Sequence, residues 1–162
     1  MGLRIGNGID VHHFDTTADR PLVLAGVEVG DGPPLAGHSD ADVVAHAVAD
    51  ALLGATASGD LGSRFGVDEP ATRDADSIGL LAEVVADVSA AGGHVVNVDV
   101  TVVAQTPRQA GHRDRMRANL ARAAGVDLDA VSVKFTTTDH LGSLGRGEGI
   151  AAWATVLVDL GG

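Results

Sequence analysis

The sequence predicts a single α+β domain, on three observations: strand-like alternation at both ends of the chain, amphipathic helical patterns between them, and 162 residues with no internal repeat or second apolar core. A chain of this length buries a sizeable core in one domain. Its 45% hydrophobic and 20% charged residues are ordinary for a soluble globular protein.

Residues 4–14 read as the first strand. Ile5, Ile9 and Val11 follow a β-like alternation, Asp10 and His12 project from one face, and Gly6 and Gly8 signal a bend or a close backbone approach. Residues 22–24 and 27–29, separated by Ala25-Gly26, form a short hairpin, followed by a turn-rich connection over 30–34. Ser39 or Asp40 is then the expected N-cap of a first helix, in which Val43, Val44, Ala47, Val48, Ala51 and Leu52 recur at helical spacing. Asp42, His46 and Asp50 share one stripe of it. Residues 59–70 form a glycine-punctuated loop of alternating charge, the kind used as a lid or binding loop.

A second amphipathic helix opens at Asp76-Ser77, carries Ile78, Leu81, Val84, Val85 and Val88, and closes at Gly92-Gly93. Residues 95–104 return to strand character, with Val98, Val100 and Val102 on one face and Asn97, Asp99, Thr101 and Val103 on the other. A third helix over 107–124 bears Arg108, Arg113, Arg115, Arg117 and Arg122 and stops at Gly125. Strands over 131–137 and 151–160 finish the domain. The alternating glycines of 141–149 between them let another chain or a phosphate come close.

The net charge of −11, with Lys134 the only lysine, argues against a nucleic-acid or anionic-membrane surface, and 2% aromatic content leaves little for base stacking. No apolar run is long enough to span a bilayer and the N-terminus has no signal-like core, so a cytoplasmic protein is expected. With no cysteine, any metal must be held by His, Asp or Glu, a donor set that suits zinc. An acidic chain can still hold a phosphorylated small molecule where divalent cations, helix N-termini and a few arginines neutralise it locally.

Asp10 and His12 on one strand face, with His46 on the following helix, make a plausible zinc trio with an open position. The other reading is a polar helix stripe facing solvent, with packed or exposed histidines. His13, His94 and His112 read as structural or exposed. Thr136-Thr137-Thr138-Asp139 is either a β-branched strand end or a phosphate and magnesium site. Ala104-Gln105-Thr106-Pro107-Arg108 lies at a strand-to-helix junction, where backbone N–H groups can receive a base edge or an anion.

With these stretches assembled, the sequence resembles the 2-C-methyl-D-erythritol 2,4-cyclodiphosphate synthase family nearly end to end. The resemblance is carried by residues 4–12, His38-Ser39-Asp40-Ala41-Asp42-Val43 with His46, residues 50–54, Gly59-Asp60-Leu61-Gly62, residues 97–101, Ala104-Gln105 with Pro107, Val133-Lys134 with Thr136-Thr137-Thr138, and most specifically Gly145-Arg146-Gly147-Glu148-Gly149-Ile150-Ala151.

The resemblance implies a mixed β-sheet with helices packed on one side, in a homotrimer whose sheets pack around a three-fold axis with active sites between subunits. It implies Zn2+, or another divalent transition metal, on Asp10, His12 and His46, and Mg2+ or Mn2+ at Asp139. It places His38, Ser39, Asp60 and Gly62 near the methylerythritol phosphate, gives His38 and Thr137 catalytic roles, and assigns the cytidine diphosphate portion to Ala104, Gln105, Thr106, Pro107, Arg108, Phe135, Thr136, Thr137 and Thr138. Arg146 and Glu148 match positions at the trimer axis, where an isoprenoid-like diphosphate can bind. Three features depart from the family pattern: Asp139 replaces the commoner glutamate, His140 and Phe135 stand where lysine and a small residue are usual, and the loop after Asp60 lacks a Pro-Asp pair.

The implied reaction is metal-assisted intramolecular phosphoryl transfer: 4-diphosphocytidyl-2-C-methyl-D-erythritol 2-phosphate closes to the 2,4-cyclodiphosphate and releases CMP. A zinc-dependent phosphoester hydrolase and a non-catalytic isoprenoid-diphosphate-binding trimer are the alternatives.

Overall fold

A computed structural model of the chain describes residues 2–30, 32–37, 39–66 and 76–161. The strands β1 (Leu3–His13), β4 (His94–Val103), β5 (Val131–Thr136) and β6 (Gly149–Asp159) form one sheet in the order β1-β6-β4-β5. β6 is antiparallel to both β1 and β4, while β5 runs parallel to β4, so the sheet is mixed as expected. The hairpin β2 (Leu22–Leu24) and β3 (Val27–Val29) turns through Ala25 and Gly26, both at positive φ.

Alternation divides the sheet into two unlike faces. Val98, Val100, Val102, Ile150, Ala152, Ala154, Val156 and Val158 point to one side and are buried. The helices α1 (Val43–Ala55), α3 (Ser77–Ala90) and α4 (Arg113–Ala124) cover that side. On the other side Leu3, Ile5, Ile9, Val11 and Trp153 stand exposed. α1 is the central helix, with ten of its 13 residues buried.

Gly6 and Gly8 mark close approach rather than a bend. β1 pairs with β6 without a register shift, and a Cβ on Gly6 or Gly8 would meet the carbonyl oxygens of Ala51 or Ala47. In the same way Gly145 and Gly149 are approached by this chain's own backbone, at His140 and at His12.

Three boundaries differ from the sequence reading. The N-cap of α1 is Asp42, not Ser39 or Asp40. Its carboxylate accepts from the backbone N–H groups of Val44 and Ala45 and also from those of Ala25 and Gly26, so one buried side chain caps the helix and closes the hairpin turn. The predicted helix over 107–124 begins later, as a 3₁₀ turn at Ala110–His112 running into α4. Gly125 ends α4 in the left-handed conformation, as predicted. The predicted loop after Gly59 folds at once into α2 (Leu61–Phe65), while its remainder, 67–70, lies outside the described residues. A further short helix, α5 (Gly142–Gly145), precedes β6. Among the described residues, no helix is long and apolar enough to cross a membrane.

Candidate active site

Asp10 and His12 are separated by one residue on β1 and so share the helix-covered face, where α1 brings His46 over them. Asp10 Oδ2 lies 2.9 Å from His46 Nδ1 and 3.1 Å from His12 Nε2. One donor atom from each residue falls within 4.8 Å of the others. All three side chains are half-buried, open on one side. Burial works against ionisation of Asp10, but the hydrogen bonds from His12 and His46 outweigh it and hold the carboxyl well below the usual range. The Asp10 hydrogen bond in turn raises His12.

Each imidazole turns its second nitrogen to a fixed oxygen. His12 Nδ1 donates to the carbonyl of Ala36, and His46 Nε2 lies 2.9 Å from Ser77 Oγ and 3.3 Å from Ser39 Oγ. Two oriented imidazoles and one ionised carboxylate converging on a partly open point form a donor set that fits a divalent ion such as zinc. The loop supplying the Ala36 carbonyl is itself pinned. Ala36 N–H donates to the His13 carbonyl, and the Arg20 guanidinium donates to the carbonyls of Leu35, Gly37 and Ser39. His38 lies outside the described residues.

A second group of predicted residues gathers around a cavity of about 280 Å³ at the far edge of the sheet. Ala104, Gln105, Pro107, Arg108, Phe135, Thr136 and Thr137 line it, together with Gln109. Phe135 lies under the Arg113 guanidinium at 5.4 Å. Thr106 is exposed and outside this lining. Half-buried Thr138 and exposed Asp139, in the following turn, also lie outside it; Thr138 Oγ1 donates to the Leu141 carbonyl, and the Asp139 N–H donates to Thr137 Oγ1. Asp139 is exposed and joins no group of three ligating side chains among the described residues.

Strand register measures the separation of the two groups. Asp10, Ala152, Val102 and Phe135 occupy one row across the sheet. Three inter-strand steps put Asp10 about 14 Å from Phe135. Asp60 and Gly62 neither join the ligating trio nor line the cavity: Asp60 caps α2 through the Ser63 N–H, and Leu61 N–H donates to Asp50, a carboxylate influenced by Asp60, Asp10 and His46 together. Arg146 and Glu148 form an exposed ion pair with a nitrogen–oxygen distance of 2.6 Å.

The model of the YgbB family matches residues 3–159. The chain belongs to the YgbB family. A YgbB relative from Trichlorobacter lovleyi, named 2-C-methyl-D-erythritol 2,4-cyclodiphosphate synthase, is 49% identical over 156 residues, covering 96% of this chain and 98% of its own. A relative of the same name from Moorella thermoacetica is 52% identical over 156 residues, 96% of this chain and 94% of the other. Among solved structures, the bifunctional IspDF of Campylobacter jejuni superimposes with a TM-score of 0.92 at 38% identity over 97% of this chain. This chain spans 42% of that bifunctional protein. A Plasmodium falciparum IspF in complex with CDP gives a TM-score of 0.85 at 30% identity, covering 98% and 96% of the two chains. As a YgbB member with relatives so named, this chain is an enzyme.

Four side chains in or beside these groups escape sequence reading as site residues. Ser77 and Asp40 stand behind His46, Arg20 grips the loop before α1, and Gln109, 4% exposed, presents an amide Nε2 with no partner among the described residues. The Asp40 carboxylate could be suspected from its place near His46. Nothing local distinguishes the other three from ordinary loop and helix-end residues.

Proposed function

We propose that this enzyme converts 4-diphosphocytidyl-2-C-methyl-D-erythritol 2-phosphate to 2-C-methyl-D-erythritol 2,4-cyclodiphosphate with release of CMP, a cyclising phosphorus–oxygen lyase of non-mevalonate isoprenoid precursor synthesis in the cytoplasm. The convergence of Asp10, His12 and His46, in a chain of this family, is the observation that carries the reading.

In the reaction an oxygen of the 2-phosphate attacks the β-phosphorus of the diphosphate bridge. The bond from that phosphorus to the bridging oxygen breaks, and CMP departs with the electron pair. Both reacting groups are anionic and attached to one molecule, so no protein nucleophile is required; the protein must align the phosphates and offset their repulsion. When bound, Zn2+ on Asp10, His12 and His46 and Mg2+ or Mn2+ at Asp139 supply positive charge beside the phosphates. Arg108, with the backbone and side chains of Ala104, Gln105, Thr106, Pro107, Phe135, Thr136 and Thr138, receives the cytidine diphosphate. Thr137 offers its hydroxyl to a phosphoryl oxygen. Ser39, Asp60 and Gly62 hold the methylerythritol phosphate, together with His38.

The same proposal includes a homotrimer with active sites between subunits. Two observations support it. The sheet face opposite the helices is apolar and bare at Leu3, Ile5, Ile9, Val11 and Trp153. The metal ligands and the nucleotide cavity lie on opposite edges of one sheet, too far apart within a chain to serve one diphosphate. In such an assembly the Arg146–Glu148 pair is the binding feature for an isoprenoid diphosphate on the axis.

The deciding experiment measures CMP release from the diphosphocytidyl substrate, with phosphorus NMR of the product, for native, chelated and Zn2+- and Mg2+-restored protein. CMP and a cyclic diphosphate, lost on chelation and regained with metal, are expected. An open-chain phosphate product would make the protein a hydrolase, and substrate binding without CMP release would make it a binding module.

A further inference from the structure

We propose that Ser77 and Asp40 form a hydrogen-bonded relay that fixes the His46 ring for metal binding; this rests on reading Asp10, His12 and His46 as metal ligands. His46 Nδ1 faces the shared centre beside Asp10, so its orientation depends on what holds Nε2. Ser77 Oγ lies 2.9 Å from Nε2, nearer than Ser39 Oγ at 3.3 Å. The Ser77 hydroxyl also contacts Asp40 Oδ1, and the Ser77 backbone N–H donates to Asp40 Oδ2 at 3.1 Å.

The polarity of this chain of contacts follows from the groups themselves. An ionised carboxylate only accepts, so the Ser77 proton goes to Asp40 and the Ser77 oxygen is left to accept from His46 Nε2–H. A proton held on Nε2 leaves Nδ1 free to give up the proton it shares with Asp10 and to present its lone pair at the metal position. The hydroxyl has no competing duty at the start of α3, because Asp76 already caps that helix by accepting from Ile78 N–H. Ser77 is 1% exposed, so water does not replace its contacts. A ligand on α1 is thus held by a residue of α3 and a residue of the loop before α1, which makes Ser77 and Asp40 positioning residues rather than catalytic ones.

The test uses the full-length protein and Co2+ as a spectroscopic probe, with affinities read by chelator competition for wild type, Ser77→Ala, Ser77→Thr, Asp40→Ala and the Ser77→Ala/Asp40→Ala double variant. Ser77→Ala should weaken Co2+ binding about 10- to 100-fold and alter the visible absorption bands. Ser77→Thr should recover most of the loss, and the double variant should bind no worse than Ser77→Ala, since the two residues act in series. A Ser77→Ala protein with wild-type affinity and spectrum would overturn the relay alone. A wild type that binds neither Co2+ nor Zn2+ would overturn the metal reading as well. A second measurement needs no Ser77 variant: nitrogen-15 NMR of the zinc-loaded wild type should show a proton on His46 Nε2 that is protected from exchange. An unprotected Nε2 proton there would also overturn the relay.

Discussion

A Cβ on Gly8 would fall 2.1 Å from the carbonyl oxygen of Ala47, so α1 rests on β1 with backbone against backbone. Gly8 precedes Asp10 by two residues on β1, and Ala47 follows His46 on α1. The contact therefore sets the height of one proposed metal ligand above the other. Gly8→Ala must push the helix away, because a carbonyl in mid-helix cannot swing aside as a side-chain tip can. A loss of about 2–3 kcal/mol in stability is expected, together with weaker metal binding. Urea denaturation and a zinc titration of the same preparation check both, and a native-like result in either would separate the helix position from the site.

The bare sheet face offers a direct handle on assembly. Ile9 is 48% exposed on that face, close to Trp153, its register partner on β6. Ile9→Asp places a charge where the proposed trimer buries apolar surface, while leaving the helix-covered core untouched. Light scattering should show a monomer that retains its circular dichroism, and CMP release should disappear with the assembly. An Ile9→Asp protein that remains trimeric would show that this face is not the interface.

Asp42 makes stability depend on pH in a definite direction. Burial is the largest influence on it and pushes its carboxyl from 3.8 up to about 6, despite the backbone N–H groups of Gly26, Ala45 and Ala25 that it accepts from. A group whose folded value is raised contributes stability that is complete below the unfolded value and is lost as pH rises through the folded one. Wild type should therefore lose roughly 3 kcal/mol from this group between about pH 4 and pH 7. Asp42→Asn does not titrate there, so the difference in unfolding free energy between the two proteins, followed by urea denaturation across that range, isolates the contribution. A difference that stays flat with pH would contradict the raised value.

Arg20 donates to three carbonyls of the loop between β3 and α1, a task suited to the planar fork of guanidinium and not to a single ammonium. Arg20→Lys keeps the charge and loses the geometry. Since Ala36 in that loop orients His12, the variant should bind zinc more weakly while its melting temperature falls only slightly. Equal affinity in the two proteins would mean the backbone contacts at His13 hold the loop without help.

What was readable in the sequence divides along physical lines. Asp10 and His12 were legible because a strand repeats every two residues, and His46 only as the third donor beside them, since a polar stripe on a short helix by itself reads as solvent-facing. Val98, Val100 and Val102 announced the buried face by the same alternation. The N-cap is not decided locally, because the hydrogen bonds that select Asp42 over Ser39 and Asp40 include two from Ala25 and Gly26, far away in the chain. Of the glycines of 141–149, Gly145 and Gly149 are closely approached, by the backbone of His140 and His12, whereas Gly142 and Gly147 serve a positive φ instead. Ser77 was invisible as a site residue: its contact with His46 spans 31 positions and depends on how α3 packs against α1.

Under the proposed function, the row that runs from Asp10 to Phe135 leaves each polypeptide with two half-sites that do not meet within it. In the proposed trimer, a chain spoiled at His46 still carries a sound nucleotide half, and a chain spoiled at Thr137 still carries a sound metal half. Neither works alone, yet subunits of the two kinds, unfolded together and reassembled, would bring intact halves face to face. Two dead proteins would then make a live one, an inheritance of function by complementation that a catalyst enclosed within a single chain could never display.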